Sequence, residues 1–180
     1  IRKVNLDKLA KRLDRVEGPL EASWQAEIAQ RKADKGIQQD GFDSALGTIG
    51  GGNHFAEFQQ MDQCYDKPLA DALGLKPEMV LLLVHSGSRG LGQLILQRHI
   101  TQHNHDGLSS NDDAFNDYLL QHDEACRWAE LNRELIAARF MLASRTKGEC
   151  LLDVNHNTVS QVELNGLSGW LHRKGATPSD

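Results

Sequence analysis

The run Gly50-Gly51-Gly52, followed directly by Asn53-His54, constrains this chain more than any other stretch. Consecutive glycines allow positive φ values and carry no Cβ, so the backbone there can bend and come close to a bound group. Residues 43–58 are therefore expected to run as loop then strand, with Phe55 and Phe58 packed. Most glycine-rich loops are only turns. The chemistry that follows sets this one apart: in LGTIGGGNHFAE, residues 46–57, Asn53 supplies an amide and His54 an imidazole that can ligate a metal or move a proton. Glu57 adds a carboxylate.

Two further segments have the same character. Residues 80–92 read VLLLVHSGSRGLG, and the apolar run 80–84 predicts a strand buried on both faces. It stops at His85, where a small, flexible, cationic loop begins and delivers Arg89. Polar groups on loops at strand ends are where functional sites concentrate. Residues 151–157, LLDVNHN, predict a short strand delivering His156 and Asn157. WLHRKGAT, residues 170–177, predicts a strand end followed by Arg173, Lys174 and Gly175. Strand-end histidines beside polar loops form a constellation.

The remainder supplies the scaffold. Residues 1–40 predict a helical N-terminal segment, with Leu6, Leu9, Leu13 and Val16 at helical spacing, a break at Gly18-Pro19, and a second stretch through Trp24 and Ile28. A short helix is expected over 67–75, ended by Gly74, and a polar loop over 103–113 with Asn/Asp N-cap candidates. Phe115, Leu119, His122, Cys126, Ala129, Ile136 and Phe140 predict one long amphipathic helix. Asn165-Gly166 is a hairpin signal.

The 180 residues suffice for one domain with a sizeable core, and 39% hydrophobic with 25% charged residues places the chain among folded, soluble proteins. A net charge of −5 excludes a global basic footprint for bulk nucleic-acid binding. Cys64, Cys126 and Cys150 are odd in number and lack CxxC spacing, which argues against a disulfide framework or zinc knuckle and favours a reducing cytoplasm. No signal peptide is expected and no apolar run reaches bilayer length, so no membrane association is expected.

GTIGGGNHFAE, VHSGSRGLG, the His156-Asn157 pair and HRKGAT resemble, in order, signature motifs of the RtcB RNA-splicing ligases. The short connection into the helix near 113–143 resembles the paralogue group linked to peptide-chain release factor H. The resemblance implies an α+β fold, with mixed β-sheets packed against helices and a metal and nucleotide cleft at strand ends. It implies a GTP- and manganese-dependent ligase of RNA repair and tRNA splicing, which joins a 2′,3′-cyclic phosphate or 3′-phosphate RNA end to a 5′-hydroxyl end. The route passes through a guanylylated histidine and RNA-GMP. By motif, His54, His85 and His156 correspond to metal ligands for one or two manganese ions. Asn53, His54, Phe55, Ala56, Glu57, His156 and Asn157 match segments that contact GTP. Arg89, Arg173 and Lys174 are the local cations left to meet RNA phosphates. Oligomeric state is not implied.

The departures from the family pattern matter equally. Its glycine-rich Asp…Cys metal motif has no match here. Its guanylylated histidine lies downstream of HRKGAT, so the catalytic nucleophile is expected beyond Asp180, the last residue of this sequence. The chain is therefore expected to be a central, incomplete catalytic domain spanning 1–180, with a helical segment over 1–40 and a motif-bearing core over 41–180, inactive alone. Two other readings stay open: a non-catalytic metal or RNA-binding module, and a mononuclear metal hydrolase with Glu57 as base. Neutral imidazole suits manganese, zinc, iron and nickel alike. His99, His103, His105, His122 and His172 read as surface or hydrogen-bonded residues. Asn53 and Asn157 also suit turns, Glu57 a solvated strand position, and Arg89 a surface charge.

Overall fold

The structure, a computed structural model, describes residues 22–39 and 41–177. The part of the expected N-terminal helix before residue 22, including Leu6, Leu9, Leu13 and Val16, lies outside the described residues. So does Asp180, beyond which the guanylylated histidine is expected. After a 3₁₀ turn at Ala22–Trp24, helix α1 runs over Gln25–Asp34. Strand β1 (Phe55–Gln60), helix α2 (Lys67–Ala72), strand β2 (Val80–His85) and helix α3 (Gly90–His103) follow. Helix α4 then occupies Asp113–Ser144, and strands β3 (Asn157–Leu164) and β4 (Leu167–Lys174) close the chain's described part. The fold class is α+β as expected, and both sheets are two-stranded and antiparallel.

Helix α4 is the spine. Its 32 residues rise about 48 Å, long enough for every other layer to lean on it. Trp128, Leu131 and Leu135 are fully buried in its middle and meet Leu91 and Ile95 of α3, Ile28 of α1, and Leu46 of the glycine-rich segment. Further along, Ile136 and Phe140 receive Ile49, Ala56, Leu82 and Val84. One helix therefore holds both the α1/α3 layer and the β1–β2 hairpin. The expected polar loop is present between the helices, over 104–112, with Asp112 at the N-cap of α4.

Local signals account for the smaller elements. Asp66 caps α2 by accepting from the Leu69 backbone N–H at 2.9 Å, and Gly74 ends the turn at φ +69°. Asn165 and Gly166, at φ +52° and +77°, make the two-residue turn between β3 and β4, as the primed hairpin turns require. In the connection after α1, the buried Lys32 ammonium donates to the Gln39 carbonyl and to the Asp43 carboxylate, both at 2.8 Å. That pairing offsets the cost of burying the charge.

Three expectations need correction. Strand β2 is not buried on both faces: Leu82 and Val84 pack towards α4, while Leu83 on the opposite face stays 44% exposed and Val80, at the strand's start, 68%. A continuous apolar run carries no face information, so the pleat decided it. Residues 151–155 form no strand, and Leu151 and Leu152 are exposed. The segment is fixed instead by side chains, Asp153 and Asn155 both accepting from Arg133. Arg173 and Lys174 lie within β4 and not in a loop after it. Phe55 and Phe58 are packed on one side only, Phe58 meeting Phe140 edge-on at 5.9 Å between ring centroids. Among the described residues, no helix is long and apolar enough to cross a membrane.

Candidate functional site

The register of the first hairpin begins the site. Phe55 pairs with His85, so His54, just before β1, and His85, at the end of β2, lie at the same end of the ladder. Their rings are 6.1 Å apart between centroids. His156, immediately before β3, brings its ring against the other side: it stacks on His85 at 5.1 Å with a 16° tilt. Phe55 stacks on His85 at 5.3 Å and 6°. The three predicted metal histidines, from three separate segments, therefore occupy one place.

Helix α4 carries the residues that bring those segments together, and none of them belongs to a motif. Asn132 is fully buried, and its amide nitrogen donates to the Thr48 and Gly87 carbonyls and to the Ser86 hydroxyl. Ser86 in turn donates to the Ile49 carbonyl at 2.7 Å. At the next position, Arg133 donates to the Ser86 carbonyl, to Asp153 and to Asn155, while Asn155 donates to Glu130. Arg139 donates to the Gly47 carbonyl at 2.6 Å. Asn132 and Arg139 interrupt the apolar stripe of Trp128, Leu131, Leu135, Ile136 and Phe140. A buried polar residue in such a stripe needs partners, and that was the signal in the sequence for these two residues.

Arg89 completes the cluster. It stands at the start of α3 with φ +53° and ψ −136°, a conformation that side-chain-bearing residues seldom hold. Its Nη1 lies 3.4 Å from His54 Nδ1. A guanidinium can only donate, so Nδ1 presents its lone pair there. The guanidinium occupies the space above Gly50: a Cβ at that position would sit 1.5 Å from Arg89 Nη1 and 2.6 Å from His54 Nδ1. Gly50 also holds φ +104°. Arg89 Nε is buried without a hydrogen-bond partner. Strain and an orphaned donor at one residue are features of a functional position.

The electrostatics favour the neutral form of His54 and His156. Burial, then the charge of Arg89 and the neighbouring His85 and His156, lower the pKa of His54 below its ordinary value. Burial, then His85 and Arg133, lower that of His156. Neutral imidazole is the form that ligates a metal. The donor set thus fits a divalent transition metal in kind. Its orientation is incomplete: among the described residues no three His, Cys, Asp or Glu side chains are arranged to hold an ion, because these rings meet by stacking.

The other predicted residues fall on a gradient. Asn157 opens β3 opposite Lys174, and its carboxamide oxygen accepts from the Gly175 N–H, while the Ala176 N–H donates to the His156 carbonyl. The His156-Asn157 and HRKGAT motifs are thereby one unit. Lys174 is exposed, whereas Arg173 is half-buried and donates to Ser160 Oγ at 3.2 Å. Ala56 packs in the Phe140 cluster. Asn53 is exposed, and Glu57 is exposed with its carboxylate accepting from Gln59.

Comparison with known proteins adds a separate line. The profile of the family described as tRNA-splicing ligase RtcB matches residues 9–180. The chain is 47% identical over 179 residues to the RNA-splicing ligase RtcB2 of Escherichia coli, covering 99% of this chain and 46% of that protein. It is 32% identical over 200 residues to the RNA-splicing ligase RtcB of Mycobacterium tuberculosis, covering 93% and 43%. To the tRNA-splicing ligase RtcB of Archaeoglobus fulgidus it is 29% identical over 192 residues, covering 89% and 38%. The chain thus spans less than half the length of these relatives.

Proposed function

This chain belongs to the RtcB family, and from that premise we propose that it forms the metal- and GTP-binding core of an RNA ligase. The reaction joins a 3′-phosphate or 2′,3′-cyclic phosphate RNA end to a 5′-hydroxyl end. Manganese is the proposed ion and GTP the proposed nucleotide. The cytoplasm is the proposed location, with no membrane partner.

The observation that carries the reading is the meeting of His54, His85 and His156 beside Arg89. His54, His85 and His156 would hold the ion. When bound, a divalent cation neutralises charge that develops on phosphoryl oxygens during transfer. The chain's own groups do the rest. Burial and neighbouring charge keep His54 and His156 deprotonated. Arg89 offers a planar donor fork, with its buried Nε unspent, to a phosphate. Gly50, lacking a Cβ, leaves the space that this fork occupies. Asn157, Phe55 and the backbone around Asn53 border the same end of the hairpins and are the proposed nucleotide contacts, with Glu57 and Ala56 at their margin. Lys174 is the exposed cation beside Asn157, and Arg173, held by Ser160, is proposed to meet phosphate only by leaving that partner. The GMP carrier is proposed to be a histidine downstream of Asp180, and none of the described histidines is assigned that role.

Ligation by the full-length protein tests the proposal. RNA halves ending in 3′-phosphate and 5′-hydroxyl should be joined when manganese and GTP are supplied. His54→Ala, His85→Ala and His156→Ala should each weaken manganese binding, measured by calorimetry, and reduce joining by about 10- to 100-fold or more. Joining that survives all three substitutions would overturn the assignment, and hydrolysis of the RNA in place of joining would favour a metal hydrolase.

A further inference from the structure

A second concentration of ring side chains lies away from the histidine cluster, between α3 and α4. His99 and His103, one turn apart on α3, approach to 5.3 Å between ring centroids. His99 meets Tyr118 of α4 at 5.3 Å, and Tyr118 meets His122 at 6.4 Å. The ladder does not stop there. His122 Nε2 is 3.8 Å from Cys126 Sγ, and that sulfur is 4.0 Å from the Asn157 carbonyl oxygen. Asn157 is the neighbour of His156. Ring contacts from His103 to His122, then a thiol and a backbone carbonyl, therefore connect the α3/α4 cleft with the residue next to His156.

The cleft has a volume of about 440 Å³, room for one nucleotide. Ile95 and Ala114 are its apolar wall, and Tyr118 and His99 give it ring faces. Arg98 brings a guanidinium, and Gln102 and Gln121 bring amides that both donate and accept. Asp117 repels phosphate but accepts from the amino or imino N–H of a base edge. Cation, ring and amide in one cleft are what a single-stranded nucleotide uses: a charge for the backbone, a face for the base, and edges for hydrogen bonds. His99 is ten positions beyond Arg89, about 15 Å along α3, so a strand seated in the cleft reaches the histidine cluster within a few nucleotides.

We propose that this cleft is a stacking subsite for a nucleotide of the RNA strand whose end is processed at His54, His85 and His156. The base stacks on Tyr118 and His99, Arg98 meets the backbone phosphate, and the strand runs on along the surface towards the histidine cluster. The inference rests on the RNA-ligase reading, and it explains how a chain with net charge −5 holds RNA locally without a broad basic face.

The test uses the full-length protein and dye-labelled oligouridylates with a 3′-phosphate, of two and ten nucleotides, followed by fluorescence anisotropy. The decamer should bind tighter than the dinucleotide. Arg98→Glu and His99→Ala should each weaken the decamer by roughly tenfold while the dinucleotide, too short to span both places, keeps its affinity. Arg98 is exposed, so its substitution leaves the core intact. Tyr118 packs against the core, and Tyr118→Phe, which keeps the ring, should bind as the parent does. Decamer affinities within twofold of the parent for both Arg98→Glu and His99→Ala overturn the subsite. Zinc binding that disappears in His99→Ala without any change in decamer affinity also overturns it and makes the His99/His103 pair a metal site. Equal affinity of the parent for both lengths, with ligation intact, sinks the subsite alone; no binding of either length sinks the ligase reading with it.

Discussion

His85 and His156 stack face to face at 5.1 Å, although one ends a strand of the first hairpin and the other precedes the second hairpin. Between them in sequence lie both long helices, so their meeting depends on α4. Arg133 spans that gap directly: one guanidinium donates to the Ser86 carbonyl, next to His85, and to Asn155, next to His156. Replacing Arg133 with Met keeps the aliphatic stem and removes these bonds. Manganese affinity of the full-length protein should then fall by at least tenfold by calorimetry, with helix content by circular dichroism retained.

Asn132 tests the same principle at the level of stability. It is fully buried, and its side chain serves the carbonyls of Thr48 and Gly87 and the hydroxyl of Ser86. Asn132→Ala removes the donor from two part-buried carbonyls and from the buried Ser86 hydroxyl, which costs about 1–3 kcal/mol. Urea denaturation should show a lower midpoint with an unchanged slope. An unchanged midpoint would mean that the loops at 46–52 and 86–87 are held by other contacts.

Gly50→Ala adds a methyl where Arg89 Nη1 and His54 Nδ1 now lie, and at φ +104°. Arg89 must leave, or the loop must shift. Ligation should fall by more than tenfold, and manganese affinity should fall with it. Arg89→Ala leaves the loop unstrained, and should reduce joining of a 3′-phosphate end more than GTP binding. Equal losses would place Arg89 at the nucleotide.

The neutral histidines predict a pH dependence of stability. His54 and His156 have folded pKa values below the ordinary 6.5, so as pH falls through 6.5 the unfolded chain takes up protons that the folded one refuses. Stability is held above pH 6.5 and lost as pH falls towards the lower folded values. Metal-free protein melted between pH 8 and 5 should show a declining midpoint, and the decline should shrink in the His54→Asn/His156→Asn double variant. A flat profile in the parent would contradict the depressed values.

Cysteine reactivity checks the α4–β3 junction. Burial, then Asp123 and Glu130, push the Cys126 thiol up to about 11, which leaves only about one thiolate in a thousand at pH 8. Cys64 and Cys150 are exposed. Iodoacetamide followed by peptide mass mapping should label those two first, with Cys126 at least tenfold slower. Rapid labelling of Cys126 would mean that β3 does not cover it.

The sequence determined the local pieces and the donor chemistry. The glycine run, the strand ending in His85, the Asp66 cap of α2, the long period of α4 and the Asn165-Gly166 turn each follow from residues close together in the chain. The convergence of His54, His85 and His156 was legible because each sits in a motif of the RtcB family. Three matters belonged to the tertiary structure. Which faces of β2 are covered depended on α4, since a continuous apolar run reads the same whether one face or two are packed. The course of 151–155 depended on Arg133, because two side-chain bonds from another helix outweighed the strand tendency of the apolar residues. The His99–Tyr118–His122 file arose where two helices lie side by side, and spacing within either helix cannot say what the other presents. Short-range order follows the chain, whereas contacts between distant segments depend on how packing aligns whole elements.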